Sequence, residues 1–446
     1  MFRWLVAGFP SGTEDSRIMP PSPRSSLGAR TALFLAAGAC SSSLALSAPS
    51  LAAEAPLAPL RPFVERVLTE HPRAAMTHAA VARARADAEV LAQPLYNPEI
   101  GYAGERTRTP AGADAAGGSA MTNLAELSLT TDFGVKQASR REIGARGIDA
   151  ASAQAAEDRL GLAAEAMAAL ARFQGAQARD RLASRQEEAM GAFLSLAEKL
   201  RKAGDSSAAD LALARIALAE TRKLRNETRV ALVRAREEVR GLCACAPDEV
   251  PRLPDPPPPD SLLGEAPAAL DALPAVRTAR ALVETARADL RLAGDERVPD
   301  PTFRLGGGRD GAATKITFGV SIPLPVLNSG SARVGSAGRA LVAAEVAEQA
   351  ARRAAQTELA VSRAAAVETW SGWQAWQTQG APPAEQQMTL LQRLWVGGEI
   401  SATDYFVQLR ETVRVAQQGA DLWAETWSAL AEGLRTANRI DSALGL

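Results

Sequence analysis

The sequence predicts a mainly α-helical chain with a membrane β-barrel part, built from a duplicated unit of helix, strand, strand, long helix and helix. Three observations carry this reading. Two long proline-free runs, 136–203 and 331–379, are rich in Ala, Arg and Glu. Each run follows a stretch in which apolar and polar residues alternate. The pattern G-x-x-S-x-x-D then occurs twice, at Gly204–Asp210 and at Gly398–Asp404, about 194 residues apart.

Composition sets the outer bounds. The 446 residues are 47% hydrophobic and 23% charged with a formal charge of −1, so no electrostatic case for a nucleic-acid partner exists. Aromatic residues make up 4% while alanine abounds, which suits helices whose backbones approach closely. The chain divides into a leader (1–53), a first repeat (54–242), a Pro-rich linker (243–273) and a second repeat (274–446). In the leader, Arg24 and Arg30 precede the apolar run Thr31–Ala39, and small residues offer cleavage near Ala48, Ala52 or Ala53, as in an export signal. Met19 is an alternative start, Cys40 raises lipid attachment, and an uncleaved anchor is the bland alternative, although the run is short of the ~20 residues that span a bilayer. If the mature chain meets a membrane, it does so as strands.

In the first repeat, Pro62–Glu70 reads as a short helix, and His71-Pro72 opens another that lasts to about Gln93. Tyr96-Asn97-Pro98 breaks it, Glu99 to Arg106 reads as extended, and Thr107–Thr122 as a loop. Leu127, Leu129, Thr131 and Phe133 then alternate with Ser128, Thr130 and Asp132, a period of two. Lys136–Ala203 is the long helix, roughly 100 Å at 1.5 Å per residue, with Gly144, Gly147, Gly161, Gly175 and Gly191 as points of expected bending. Beyond the first tip, Leu211, Leu218, Leu232 and Val239 recur every seven residues as a coiled-coil seam that Arg225 interrupts.

The plan then restarts. Leu273-Pro274 opens a helix, Asp300-Pro301 ends it, Thr302–Leu305 is extended, and Gly306–Gly311 reads as a turn. Ile316, Phe318, Val320, Ile322 and Leu324 alternate with Lys315, Thr317, Gly319, Ser321 and Pro323. A helix to about Gln379 follows, Pro382 and Pro383 interrupt it, and a shorter piece reaches the second tip. The last helix carries Phe406, Val413, Ala420, Trp427 and Leu434 at seven-residue intervals.

At each tip, Gly takes the left-handed helix-end conformation cheaply, and Ser followed by Asp three residues on caps the next helix. The clearer strands have the length and alternation of transmembrane strands, yet four strands cannot close a barrel that needs about eight. Other copies of the chain must complete them, because an open edge in lipid leaves backbone groups unpaired. The alternative is soluble hairpins on a periplasmic coiled-coil adaptor or scaffold.

On the duplicated plan, on Ser321-Ile322-Pro323-Leu324-Pro325 entering a long helix, and on the two tips, the chain resembles the TolC-like outer-membrane efflux proteins over nearly all its mature length. The resemblance implies an outer-membrane homotrimer with a twelve-stranded barrel, continued by an α-helical barrel through the periplasm. It also implies docking to a periplasmic adaptor (membrane fusion) protein and an inner-membrane efflux pump of the resistance-nodulation-division type. The Ile-Pro-Leu-Pro-Val-Leu-Asn-Ser-Gly stretch (322–330) is similar to the heavy-metal branch, the partners of cobalt–zinc–cadmium pumps, whereas Asp132-Phe133-Gly134-Val135-Lys136 departs from the Gly-Gly-Lys form common there. On this reading Ser128, Thr130, Asp132, Lys315, Thr317 and Ser321 face the barrel lumen, with Leu127, Leu129, Phe133, Ile316, Phe318, Val320 and Ile322 towards lipid or neighbouring chains. Gly134, Pro323 and Pro325 turn the chain between barrels; edge-strand proline is the ordinary alternative. Gly204, Asp205, Ser207 and Asp210, with Gly398, Glu399, Ser401 and Asp404, form the periplasmic entrance that meets the adaptor or gates the channel, or else simply cap helices.

Other signals are set aside. Gly306–Gly311 matches G-x-G-x-x-G but precedes a strand, not the helix a dinucleotide needs. His71 and His78 stand roughly 10 Å apart along a helix, too far for one metal. Cys243 and Cys245 lack the second pair of a zinc site, leaving a redox role, a disulfide or no role. Trp370, Trp373 and Trp376 recur at helical spacing, as packing residues do. With no nucleophile–base pair, metal cluster or phosphate loop, neither an enzyme, a cofactor nor a resident metal is expected.

Overall fold

A computed structural model describes residues 55–110, 117–133, 136–204, 207–246, 249–264 and 270–446. The leader with Met19, Arg24, Arg30 and Cys40, and also Gly134, Val135, Asp205 and Ser206, lie outside the described residues. After a 3₁₀ turn come α1 (Arg61–Glu70), α2 (Pro72–Ala92), β1 (Glu99–Thr109), β2 (Gly118–Thr130), α3 (Lys136–Ala203) and α4 (Ala208–Cys243). The linker carries the short α5 (Pro259–Leu263). The second half repeats the order with α6 (Pro274–Asp295), β3 (Thr302–Asp310), β4 (Ala313–Ser321), α7 (Ser331–Ala375), α8 (Ala381–Val396) and α9 (Ala402–Thr436), before a final α10 (Ile440–Leu444). Among the described residues no helix is long and apolar enough to cross a membrane.

The 68 residues of α3 run unbroken despite their interior glycines. Two of those glycines are places of close approach. A Cβ on Gly144 would stand 2.9 Å from Ala88 on α2, and one on Gly175 would stand 2.9 Å from Ala424 on α9. α3 packs against α2, α4, α6 and α9. One core joins its middle (Leu160–Phe173) to the ends of α4 and α9 and to α1, α5 and α10; a second, nearer the tips, joins Phe193 and Ala197 to Leu218, Leu391, Phe406 and Leu409. Of the heptad seams, Leu218, Val239, Phe406, Val413, Trp427 and Leu434 are buried, while Leu211, Leu232 and Ala420 are half-buried. Arg225, which interrupts the first seam, is accommodated because its guanidinium pairs with Asp180 on α3 and donates to the Asp180 carbonyl at 3.0 Å.

Three boundaries differ from the sequence reading. The loop expected over Thr107–Thr122 is shorter, since β1 runs to Thr109 and β2 begins at Gly118. The turn expected at Gly306–Gly311 lies later, because Gly306, Gly307 and Gly308 are inside β3. There the missing side chains are needed: a Cβ on Gly308 would lie 1.8 Å from the Asn123 carbonyl oxygen, and one on Gly306 would lie 2.5 Å from Thr317 Oγ1. Only Gly311, at φ +59°, has the left-handed backbone of a turn. Pro382 and Pro383 do not break the helix as expected; a π turn at Trp376–Gly380 carries α7 into α8, and proline falls in the first turn of α8, where no N–H donor is missed.

The Pro-rich linker is a strap lying on the helices. Gln174 donates to the Pro251 carbonyl (2.8 Å) and accepts from Leu253 N–H (3.1 Å). The indoles of Trp427 and Trp370 donate to the carbonyls of Pro254 (3.0 Å) and Pro256 (3.2 Å). Each proline keeps its carbonyl but has no N–H, so a proline-rich segment has more backbone acceptors than donors and leaves oxygens for side chains to reach. Cys243 and Cys245 form a disulfide where the strap begins.

Candidate channel-forming surfaces

The four strands make one antiparallel sheet in the order β1-β2-β3-β4, with β1 and β4 at open edges. Its register stacks like with like. Ile100, Leu127, Leu305 and Phe318 form one row across all four strands. Leu129, Phe303 and Val320 form the row nearer the helices, and Tyr102, Ala125, Gly307 and Ile316 the row further from them. This face is open: Ile100 is 86% exposed, Ile316 79% and Phe318 74%. The opposite face holds Ser128, Thr130, Lys315, Thr317 and Ser321 together with Glu126 and Arg304. Its groups pair across strands, Arg304 with Glu126 at 3.6 Å, Thr122 with Asp310 at 2.7 Å, and Thr130 with Thr302 at 2.8 Å. Asp132 is not on the strand. It lies beyond the end of β2, where its carboxylate accepts from Gln137 N–H (2.9 Å) and caps the start of α3.

Sheet and helices are joined by a buried ionic hub. The Lys136 ammonium, 7% exposed, donates to Asp300 (2.6 Å) and to the Val298 carbonyl (2.7 Å). Tyr96 donates its phenol to the other Asp300 oxygen at 2.7 Å. That hydrogen bond, then burial, pushes the Tyr96 hydroxyl up to about 12. Ser139 on α3 bonds Asp295 on α6 (2.7 Å), extending the lock. Pro323 and Pro325, by contrast, sit in an exposed non-helical segment with Leu324 75%, Val326 82% and Leu327 100% exposed.

Both tips have the expected backbone. Gly204 stands at φ +91° and Gly398 at φ +73°. At the first, Ser207 Oγ accepts from Asp210 N–H (3.1 Å) and Asp210 accepts from Ser207 N–H (3.0 Å), a reciprocal capping box. At the second, Ser401 accepts from Asp404 N–H (3.1 Å) and its hydroxyl donates to Asp404 (2.6 Å), while Glu399 N–H reaches back to the Leu394 carbonyl (2.9 Å). Glu399 therefore closes α8 through its backbone. Between the tips' helices, Phe193, Trp395 and Tyr405 gather with ring centres 4.9–5.7 Å apart. Burial pushes the Tyr405 hydroxyl up.

A model of the outer membrane efflux protein family matches residues 63–244, the span of the first helix–strand–strand–helix–tip–helix unit. No curated protein sequence matches the chain. Solved structures share the fold beyond that span. The Campylobacter jejuni CmeC outer membrane channel is 13% identical, covers 85% of this chain and 85% of its own, and superposes with a TM-score of 0.71. A membrane protein from Pseudomonas aeruginosa is 19% identical over 85% of this chain and 93% of its own, with a TM-score of 0.70. The open state of the Neisseria gonorrhoeae MtrE outer membrane channel is 17% identical over 85% and 89%, with a TM-score of 0.68. The mainly helical fold with one small sheet is therefore the fold of TolC-like outer-membrane channels, and it covers both halves.

Sequence reasoning missed three parts of this scaffold. The Lys136–Asp300–Tyr96 hub joins residues 164 and 204 positions apart. The only local sign was a lysine opening a helix whose first turn holds no acidic residue. The aromatic trio was legible in part, since Trp395 and Tyr405 flank the second tip, but Phe193 comes from the other repeat. The polar-face partners Glu126 and Arg304 required the register.

Proposed function

We propose that the chain is the outer-membrane channel of a tripartite efflux system, a passive trimeric duct. The observation that carries the reading is the sheet: one continuous apolar face, one internally paired polar face, and two open edges. In lipid each unpaired backbone group costs several kcal/mol, so the β4 edge of one copy must pair with the β1 edge of the next. Three copies of a four-stranded sheet give a closed twelve-stranded barrel, above the minimum of about eight. Ser128, Thr130, Lys315, Thr317 and Ser321 then line water, and the apolar rows meet outer-membrane lipid.

The duct extends through the periplasm as α3, α4, α7, α8 and α9, and its tips meet a periplasmic adaptor and, through it, an inner-membrane pump of the resistance-nodulation-division type. Ser207 and Ser401 shape the tips as caps; Asp210, Asp404 and Glu399 add negative charge there. The cargo suggested by the Ile322–Gly330 stretch is a heavy-metal cation. Fractionation tests the main reading: the mature chain is expected in outer membranes as a trimer joined by a disulfide when cysteines are placed on facing β1 and β4 positions. Recovery as a soluble periplasmic protein would leave the adaptor or scaffold reading. For the cargo, deletion is expected to lower divalent-metal tolerance; a loss confined to drugs would remove the metal assignment. At the tips, Asp404→Asn is expected to keep the cap and lower efflux, whereas unchanged efflux would leave Asp404 a capping residue only.

A further inference from the structure

The register divides the sheet's charges unevenly. The polar face carries Glu99, Glu105, Glu126, Asp310, Arg304 and Lys315, acids and bases together. The apolar face carries three arginines, Arg106, Arg108 and Arg309, and no acid among the described residues. All three lie at the end of the sheet away from the helices. Arg309 stands one ladder row beyond Tyr102 and Ile316, and Arg106 and Arg108 two and three rows beyond, at about 6.8 Å per row.

Tyr102 marks the boundary. Its ring lies on the apolar face, 73% exposed, and its hydroxyl turns towards the arginine end to donate to Asn123 (2.8 Å). Tyrosine in that arrangement is the residue of a lipid–water interface. Beyond it, Arg106 and Arg309 stand about 12 Å apart by ladder spacing, on strands two apart. None of the three makes an ion pair among the described residues, whereas Arg304 on the other face has Glu126. A guanidinium is a rigid fork that matches phosphate bidentately, and three such residues share the exposed apolar face beyond Tyr102.

We propose that Arg106, Arg108 and Arg309 form a docking surface for the phosphates of an anionic lipid in the leaflet furthest from the helices. The assignment rests on the membrane-channel reading. An apolar occupant is disfavoured by the charge, and an acidic protein would have to enter past lipid to reach this face. Near an anionic surface each arginine adds about 1 kcal/mol, so three together change affinity roughly a hundredfold.

The test reconstitutes the full chain into phosphatidylethanolamine vesicles containing either diphosphorylated lipid A or its dephosphorylated form, then extracts the protein and measures bound lipid by native mass spectrometry. Wild type is expected to retain the phosphorylated form alone. The triple variant Arg106→Ser/Arg108→Ser/Arg309→Ser is expected to insert equally well and to lose that retention by roughly a hundredfold, with the triple lysine variant in between. Equal retention by wild type and the serine variant overturns the proposal, as does equal retention of the dephosphorylated lipid. Displacement of the lipid by millimolar inorganic phosphate, itself retained without lipid, overturns the lipid as occupant. If neither protein floats with any vesicle, the membrane reading has failed first, and the proposal falls with it.

Discussion

α3 and α7 are counterparts in the duplicated plan, yet α3 is buried at intervals along most of its length while α7 buries only Ala355, Ser362 and Ala366. The same contrast recurs at their starts. Lys136 opens α3 inside a buried hub, whereas α7 follows an exposed proline segment. It recurs at the tips, where the first has a full capping box and the second a serine–aspartate cap without the backbone N–H bond. The cause is packing. α3 is enclosed by α2, α4, α6 and α9, while α7 has α6 and α9 for its long neighbours. Duplication therefore supplied one shape twice but one interior only once. In the proposed trimer, a neighbouring copy covers what α7 leaves open.

The hub is the sharpest place to break this contrast. Lys136→Met leaves Asp300 buried without its cation and is expected to cost about 3–5 kcal/mol. Pro325→Ala, at the exposed counterpart, is expected to stay within about 0.5 kcal/mol. Thermal unfolding in detergent, followed by helical circular dichroism, reads both; similar losses would erase the distinction between the switches.

Glycines give the next effect. Gly419→Ala on α9 would place a methyl 2.1 Å from the Trp376 ring, and overpacking of this kind costs about 1–3 kcal/mol. Gly191→Ala on α3 meets open space and is expected to stabilise by up to about 1 kcal/mol. If Gly419→Ala proves neutral, the π turn is not held by that contact.

At the tips, Ser207→Ala is expected to cost about 0.5–2 kcal/mol and Ser401→Ala less, because only the first aspartate also accepts from the backbone N–H of its cap residue. Amide hydrogen exchange in the first turns of α4 and α9 compares them directly. Equal increases would show that the returned bond adds nothing.

Tyr96→Phe is the smallest change, about 0.5–1.5 kcal/mol for one hydrogen bond. Because the folded-state hydroxyl is raised to about 12 from 10.0, its contribution is complete below pH 10 and fades as pH rises through 12. The stability difference between wild type and Tyr96→Phe should therefore close over that interval. A difference that persists above it would mean the phenol acts by packing.

Much of the fold was legible because its signals are local. Alternation marked β2 and β4, seven-residue spacing marked the buried faces of α4 and α9, and Gly and Ser marked both tips. The glycines misled for the same reason. Read locally, Gly306–Gly308 resembles a turn, but the demand for glycine there comes from Asn123 and Thr317 on neighbouring strands. Pro382 and Pro383 misled because a π turn relaxes the helix just before them. Of the proposed channel surfaces, the lumen-side Ser128, Thr130, Lys315, Thr317 and Ser321 follow from alternation, while Asp132 belongs to the helix cap.

The sequence by itself determined the duplicated plan, the long helices, the capped tips and the two-faced strands. These depend on residues within a few positions of one another, whose backbone preferences and periods are intrinsic. Only the tertiary structure decided the register that gathers three arginines on one face, the strap held by Trp370 and Trp427, and the answer of Asp180 to Arg225. Asp180 and Arg225 lie 45 positions apart, Pro256 and Trp370 114, and Pro254 and Trp427 173. No local propensity encodes such a pairing; it exists only once the helices have closed the distance.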